Sequence, residues 1–207
     1  ESYSPAGYPC DYFHINSIDV DHDGHLLVSG RNTWAVYKVH RRTGEIIWRL
    51  GGKRTDFALG KGARFPFQHD ARHHGSDGTS ISVFDNGGAE RRQIESQSRA
   101  LFLALDHRAK TATVAREYKH SPPVYGRVTG NAQQLPNGNV FVGWGSDPHF
   151  TEFAADGSVC WDATLPYGGE CYRAFRGPGT GRPADQPALV QQGGHLWASW
   201  NGATEVS

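Results

Sequence analysis

Two short stretches gather side chains suited to chemistry. Tyr12, His14 and Asn16 lie within Asp11-Tyr-Phe-His-Ile-Asn16, and Gln68, His69 and Asp70 follow one another further along the chain. Histidine changes charge near neutral pH and can act as nucleophile, base or acid. Arg31 and Arg99 each offer a planar fork of donors matched to sulfate, phosphate or carboxylate. With Asn86, Asn131 and His149 added, the set suits an anionic, oxygen-rich ligand. Asp19, Asp21 and Asp23, followed by Gly24, reproduce the first half of a calcium loop, but Gly30 stands where that loop needs a bidentate acid. No Gly-x-Ser-x-Gly elbow, phosphate-binding loop or dinucleotide fingerprint occurs. His69 and Asp70 are neighbours in an extended segment, so their side chains diverge and do not make a dyad.

These residues need elements to hold them, and an internal repeat supplies them. Asp23-Gly24, Asp77-Gly78, Asn137-Gly138 and Gly193-Gly194 each introduce a short apolar strand and a Gly- or Asn-containing loop. Such dipeptides between apolar runs are strong hairpin signals, the type I′ turn requiring positive φ at both central residues. Each unit holds four strand-like pieces, expected near 12–20, 25–30, 34–40 and 45–50 in the first. In the second they fall near 67–73, 80–85, 99–106 and 112–119, and in the third near 130–135, 139–144, 149–154 and 158–165. The last unit shows 187–191 and 195–200 only. No segment has sustained helical periodicity.

Four-stranded antiparallel units repeating in this way read as β-propeller blades, an all-β fold. A sandwich or barrel explains the repeat less well. The blades are expected over about 11–52, 65–120, 128–166 and 186–207, three and a half in one domain spanning 1–207. Residues 1–9 are a candidate outer strand for the fourth, and the count fits part of a larger propeller. The innermost strands line a central channel and carry Tyr12, His14, Asn16, His69 and Asn131. Loops on the same face carry Arg31, Asn86, Arg99 and His149. His14 and His69 are expected near the same height in the channel, and His73 and His74 at the surface.

Composition narrows the classes. The 207 residues hold 21 Lys plus Arg and 21 Asp plus Glu, so no basic surplus invites nucleic acid or an anionic membrane. No apolar run is long enough to span a bilayer as a helix. The 26 glycines and six tryptophans suit tight turns and bulky side chains between sheets. Cys10, Cys160 and Cys171 leave at least one thiol unpaired within the chain, with Cys160 and Cys171 either bridged or free. No signal peptide is visible at the start of the chain.

Several motifs, taken together, resemble the arylsulfotransferase (arylsulfate sulfotransferase) family, in its actinobacterial and fungal branch. They include Asp11-Tyr-Phe-His-Ile-Asn-Ser17, Phe67-Gln-His-Asp-Ala-Arg72, Val83-Phe-Asp-Asn-Gly87, Gly130-Asn-Ala-Gln-Gln-Leu-Pro-Asn-Gly-Asn139 and Tyr172-Arg-Ala-Phe175. The resemblance implies a six-bladed propeller and a secreted or periplasmic protein. It implies transfer of a sulfuryl group from an aryl sulfate to a phenol through a sulfohistidine, with no cofactor. By motif position His14 and His69 match channel histidines, Asn16 a neighbouring polar group and Arg99 an anion-binding arginine. The third unit's inner strand, Thr129-Gly-Asn131-Ala-Gln133, has no histidine where the family's nucleophile is expected, and His149 is the nearest substitute. Another enzyme on the same scaffold (a lyase, cyclase or hydrolase) and a non-catalytic binding propeller are the competing expectations.

Overall fold

The computed structural model describes residues 11–90, 92–184 and 188–198. In chain order its strands are β1 (Ile15–Val20), β2 (Leu26–Gly30), β3 (Ala35–Val39), β4 (Ile46–Gly51), β5 (Ala58–Leu59) and β6 (His69–His74). There follow β7 (Ser80–Asp85), β8 (Gly88–Ala89), β9 (Arg92–Gln93), β10 (Arg99–Asp106), β11 (Thr111–Tyr118) and β12 (Asn131–Gln134). The series closes with β13 (Val140–Gly143), β14 (His149–Phe153), β15 (Val159–Thr164), β16 (Leu189–Gln192) and β17 (His195–Ala198).

Three antiparallel meanders form in succession, β1-β2-β3-β4, β6-β7-β10-β11 and β12-β13-β14-β15. They are β-propeller blades, with β6 touching both β1 and β12, so that inner strands of neighbouring blades adjoin. The second sheet has a fifth strand. The link from the first blade runs along its outer edge, and Ala58 and Leu59 pair parallel with Thr111 and Ala112. The short β8–β9 hairpin interrupts the connection between β7 and β10. Residues 176–207 group as a separate compact unit, in which β16 and β17 pair through Gly193-Gly194. The chain beyond Ala198, including the expected end of the fourth unit, lies outside the described residues, as do residues 1–9 and Cys10. Among the described residues no helix is long and apolar enough to cross a membrane.

Gly193-Gly194 has positive φ at both residues, as a type I′ turn requires, but the other three dipeptides turn the chain by different chemistry. Gly24, Gly78 and Gly138 have positive φ, whereas Asp23, Asp77 and Asn137 do not. Each of those side chains instead accepts the backbone N–H two residues on, from His25, Thr79 and Asn139. The acid or amide closes an Asx turn, and glycine supplies the left-handed step that follows.

Side chains between sheets hold the blades together. Leu27, Val36, Trp48 and Leu50 of the first blade meet Phe57, Phe65, Ile81, Val83, Leu101 and Leu103. Phe84, Ala100 and Phe102 of the second meet Val140, Val142, Trp144 and Phe153 of the third. At roughly 1.5–3 kcal/mol per fully buried large apolar side chain, these two seams dominate the stability of the assembly. Cys160 and Cys171 are both free thiols.

Candidate functional site

The segments leading into the three inner strands share one backbone device. His14, Phe67 and Thr129 all have left-handed φ, 56°, 60° and 61°. This conformation is uncommon for any residue with a Cβ and strained for a β-branched one such as Thr129. Counting two residues on from each reaches Asn16, His69 and Asn131. The structure therefore aligns His14 with Phe67 and Thr129, so the two histidines expected near the same height stand two residues apart relative to this device.

Asn16 and His69 bond to the backbone of the next lead-in segment, and Asn131 to the backbone of Ala174, beyond the third blade. Asn16 Nδ2 donates to the Gln68 carbonyl at 2.7 Å. His69 Nε2 accepts the Thr129 N–H at 3.3 Å. Asn131 donates to the Ala174 carbonyl at 2.7 Å and accepts its N–H at 2.8 Å. His69 also faces Asn86 Oδ1 at 2.7 Å. Asn86 Nδ2 is held by the carbonyls of Gly126 and Thr129, so its oxygen must point at the ring. The proton therefore sits on Nδ1 of His69, and both ring nitrogens are engaged. Burial holds His69 down at about 4; the Asn86 bond opposes this, and the nearby charges of Arg31 and His14 add to it.

His14 is open. Its side chain is 43% exposed, and Nδ1 pairs with the Asp11 carboxylate. That partner fixes the proton on Nδ1 and leaves Nε2 bare, the arrangement of an oriented nucleophile or base. The segment is pinned to the loop after β2. Arg31 N–H donates to the His14 carbonyl at 3.0 Å, Asn32 N–H to the Phe13 carbonyl at 3.2 Å, and Asn32 Nδ2 to the Asp11 carbonyl at 2.5 Å. Arg31 is buried, with its guanidinium 5.2 Å from the centre of the Phe67 ring. Tyr12, two residues before His14, is exposed.

The remaining expected residues lie elsewhere. Arg99 uses four of its five N–H groups within the second blade and the link before it. It bonds Asp85 at 2.9 Å, Glu117 at 2.8 Å and the carbonyls of Gly62 and Arg64. Burial pushes the Asp85 carboxyl up to about 7, against the pull of Arg99. This guanidinium braces a buried acid rather than facing an open anion site. His149 begins β14, two strands out from the inner strand and so about 10 Å from it. Its Nδ1 pairs with Asp147, and its ring lies 4.8 Å from that of His120. His120 is itself buried between the Pro122 carbonyl and Asp162. His73 and His74, expected at the surface, are half-buried in β6 and bonded to Asp19 and Ser82.

The three candidate calcium ligands separate. Asp19 turns to the second blade, where it meets His73 at 2.9 Å and Arg72 at 3.6 Å. Asp21 and Asp23 converge with His22 closely enough for one ion, but the Lys38 ammonium lies 2.7 and 2.6 Å from their carboxylates. Burial opposes ionisation of Asp21, yet the Lys38 and His22 hydrogen bonds prevail and hold it at about 2. A calcium ion here would have to displace Lys38.

Sequence reasoning missed Asp11, Arg173 and His120 as partners in these clusters. Arg173 bridges blades. It donates to the Asn16 carbonyl, approaches Asp70 at 3.3 Å and lies 5.4 Å from the Tyr172 ring, which stands edge-on to His69. The motif Tyr172-Arg-Ala-Phe175 was the only signal for it, and Asp11 was legible only as an acid three residues before a histidine.

A family model described as arylsulfotransferase (ASST) matches residues 4–165. The chain belongs to the arylsulfotransferase family. No curated protein matches it. Among solved structures it is similar to the Cps50 (Swd1) β-propeller domain of Myceliophteria thermophila, with 13% identity and a TM-score of 0.48 over 74% of this chain and 44% of that one. It is also similar to virginiamycin B lyase from Staphylococcus aureus, with 11% identity and a TM-score of 0.46 over 92% of this chain and 50% of that one. The chain thus spans half or less of the length of these two structures.

Proposed function

We propose that the arylsulfotransferase domain formed by this chain takes part in sulfuryl transfer from an aryl sulfate to a phenol, with His14 as the residue that carries the group. The observation supporting His14 is its exposed ring, with Nδ1 paired to Asp11 and Nε2 without a partner among the described residues, where His69 has both nitrogens engaged. Nε2 attacks sulfur, a nitrogen–sulfur bond forms, the sulfur–oxygen bond to the aryl group breaks, and the phenolate leaves with the electron pair and is protonated by water. The ring is then positive, and the Asp11 carboxylate faces that charge. The acceptor phenol gives up its proton to water, its oxygen attacks sulfur, and the nitrogen–sulfur bond breaks to restore His14. Tyr12 offers an exposed ring for the aryl group to stack on, and Arg31, buried and paired with Asn32 at 3.2 Å and Glu90 at 3.8 Å, adds positive charge to the blade end that carries His14. Asn16, Asn86, Asn131 and His69 hold neighbouring blades in register around this rim. Further blades would complete the ring, six in all by the family resemblance, and family membership supports a secreted or periplasmic place of action.

A second reading places the sulfuryl group on His149, which has the same acid on the same ring nitrogen. Turnover of 4-nitrophenyl sulfate with a phenol acceptor tests both. Wild type should release nitrophenolate and His14→Ala should not. Full activity in His14→Ala with loss in His149→Ala would transfer the role to His149. Background rates in all three proteins would refute sulfuryl transfer altogether.

A further inference from the structure

In an antiparallel meander the β1–β2 and β3–β4 turns lie at one end of the blade and the β2–β3 connection at the other. His14 and Arg31 belong to the second end. At the first, a cleft of about 340 Å³ is lined by Asp23, Gly24, His25, His40, Arg41 and Arg42. The two imidazoles stack with their centres 4.5 Å apart. Each accepts a backbone N–H at Nδ1, His25 from Arg41 at 3.4 Å and His40 from Thr43 at 3.1 Å. A bare Nδ1 puts the ring proton on Nε2, so each ring keeps one N–H donor, and neither Nε2 has a partner among the described residues. The Arg41 and Arg42 guanidinium groups are exposed and have no hydrogen-bond or ion-pair partner among the described residues. The one acid in the lining is already used. Asp23 is bonded to Lys38 at 2.6 Å and accepts the His25 N–H at 3.2 Å.

The cleft therefore gathers two free guanidinium groups and two imidazole N–H donors while its carboxylate is neutralised by Lys38. Donors of this kind, without acceptors to answer them, fit a ligand that only accepts and carries negative charge. We propose that this cleft binds a tetrahedral oxyanion, sulfate or phosphate, either free or as an ester group on a larger molecule. It lies at the end of the first blade opposite His14, and the proposal does not depend on the reaction assigned there.

Calorimetric titration of the full chain tests it, using sodium sulfate, sodium phosphate and a sulfated tetrasaccharide at constant ionic strength set with sodium chloride. Saturable binding is expected, weakened about tenfold or more in an Arg41→Ser/Arg42→Ser double variant. Both residues are exposed, and circular dichroism and the melting temperature should match wild type. His14→Ala should bind as wild type does, which separates this site from the catalytic reading. A saccharide that binds much more tightly than either ion identifies an ester on a polymer as the ligand, and equal affinities identify the free ion. No saturable binding by wild type, unchanged affinity in the double variant, or equal displacement by chloride would each overturn the proposal.

Discussion

The rim of the first blade and the seam between the second and third each hold a histidine against a side-chain partner, with opposite consequences. At the rim the His14 ring is exposed, Asp11 fixes Nδ1, and Nε2 has no hydrogen-bond partner among the described residues. At the seam His69 is 2% exposed and bonded at both nitrogens, to Asn86 and to the Thr129 backbone. The difference arises from a two-residue offset relative to the left-handed residue of each lead-in segment. A histidine on that residue faces outward, and one two places later becomes a tie between blades. Asparagine occupies the tie position in the first and third blades, doing with an amide what His69 does with a ring.

Removing either histidine should therefore fail differently. His14→Ala should lower the sulfuryl-transfer rate by roughly a thousandfold or more, as loss of a nucleophile does, with the fold intact. A rate within about tenfold of wild type would contradict the assignment. His69→Ala should instead cost about 3 kcal/mol in urea unfolding, since it strips two buried hydrogen bonds and leaves a void. His69→Asn restores the residue type of the other two blades and should cost about 1 kcal/mol. Equal losses for the two substitutions would refute the tie.

Acid should expose the same contrast. The His69 ring resists protonation until about pH 4, whereas an unfolded histidine takes a proton near 6.5. Between those values the unfolded state binds more protons, so stability falls as pH falls. His69 alone should contribute a loss of about 1.5 kcal/mol between pH 6.5 and pH 5. His74, also held down at about 4 by burial and then by His73 and Arg116, adds a loss of the same sign. Asp85 acts oppositely, because its folded value is raised. Subtracting the profile of His69→Asn from that of wild type removes both contributions, and a flat difference would show that His69 is not buried neutral. The smallest effect concerns backbone strain. His14→Gly puts the one residue without a Cβ at φ 56° and should leave the unfolding midpoint no lower than wild type, within about 1 kcal/mol, while abolishing transfer. A clear fall in the midpoint would mean that the Asp11 bond supports the fold.

The blades were legible because their signals are local. Asp-Gly and Asn-Gly before apolar runs located β2, β7 and β13, and alternation located most of their neighbours. Asp-Gly and Asn-Gly did not reveal which turn they make, since an Asx bond and a type I′ turn draw on the same residues. The fifth strand of the second sheet is two residues long and leaves no periodicity to read. The site was legible as residue types and not as roles. His14 and His69 look alike in sequence, and what separates them is a left-handed φ and an inter-blade bond 60 residues away in the chain. Arg99 follows a turn, as expected of an anion-binding arginine, yet its partners come from strands and loops up to 37 residues distant. The Asp162 partner of His120 lies 42 residues on.

Which histidine carries the sulfuryl group decides between these roles. Rapid quenching of the full chain with an aryl sulfate and no acceptor, followed by peptide mapping, should find a peptide heavier by one sulfuryl group, with the modification on His14. The same modification on His69 or His149, or none on any histidine while phenol is still released, would contradict it.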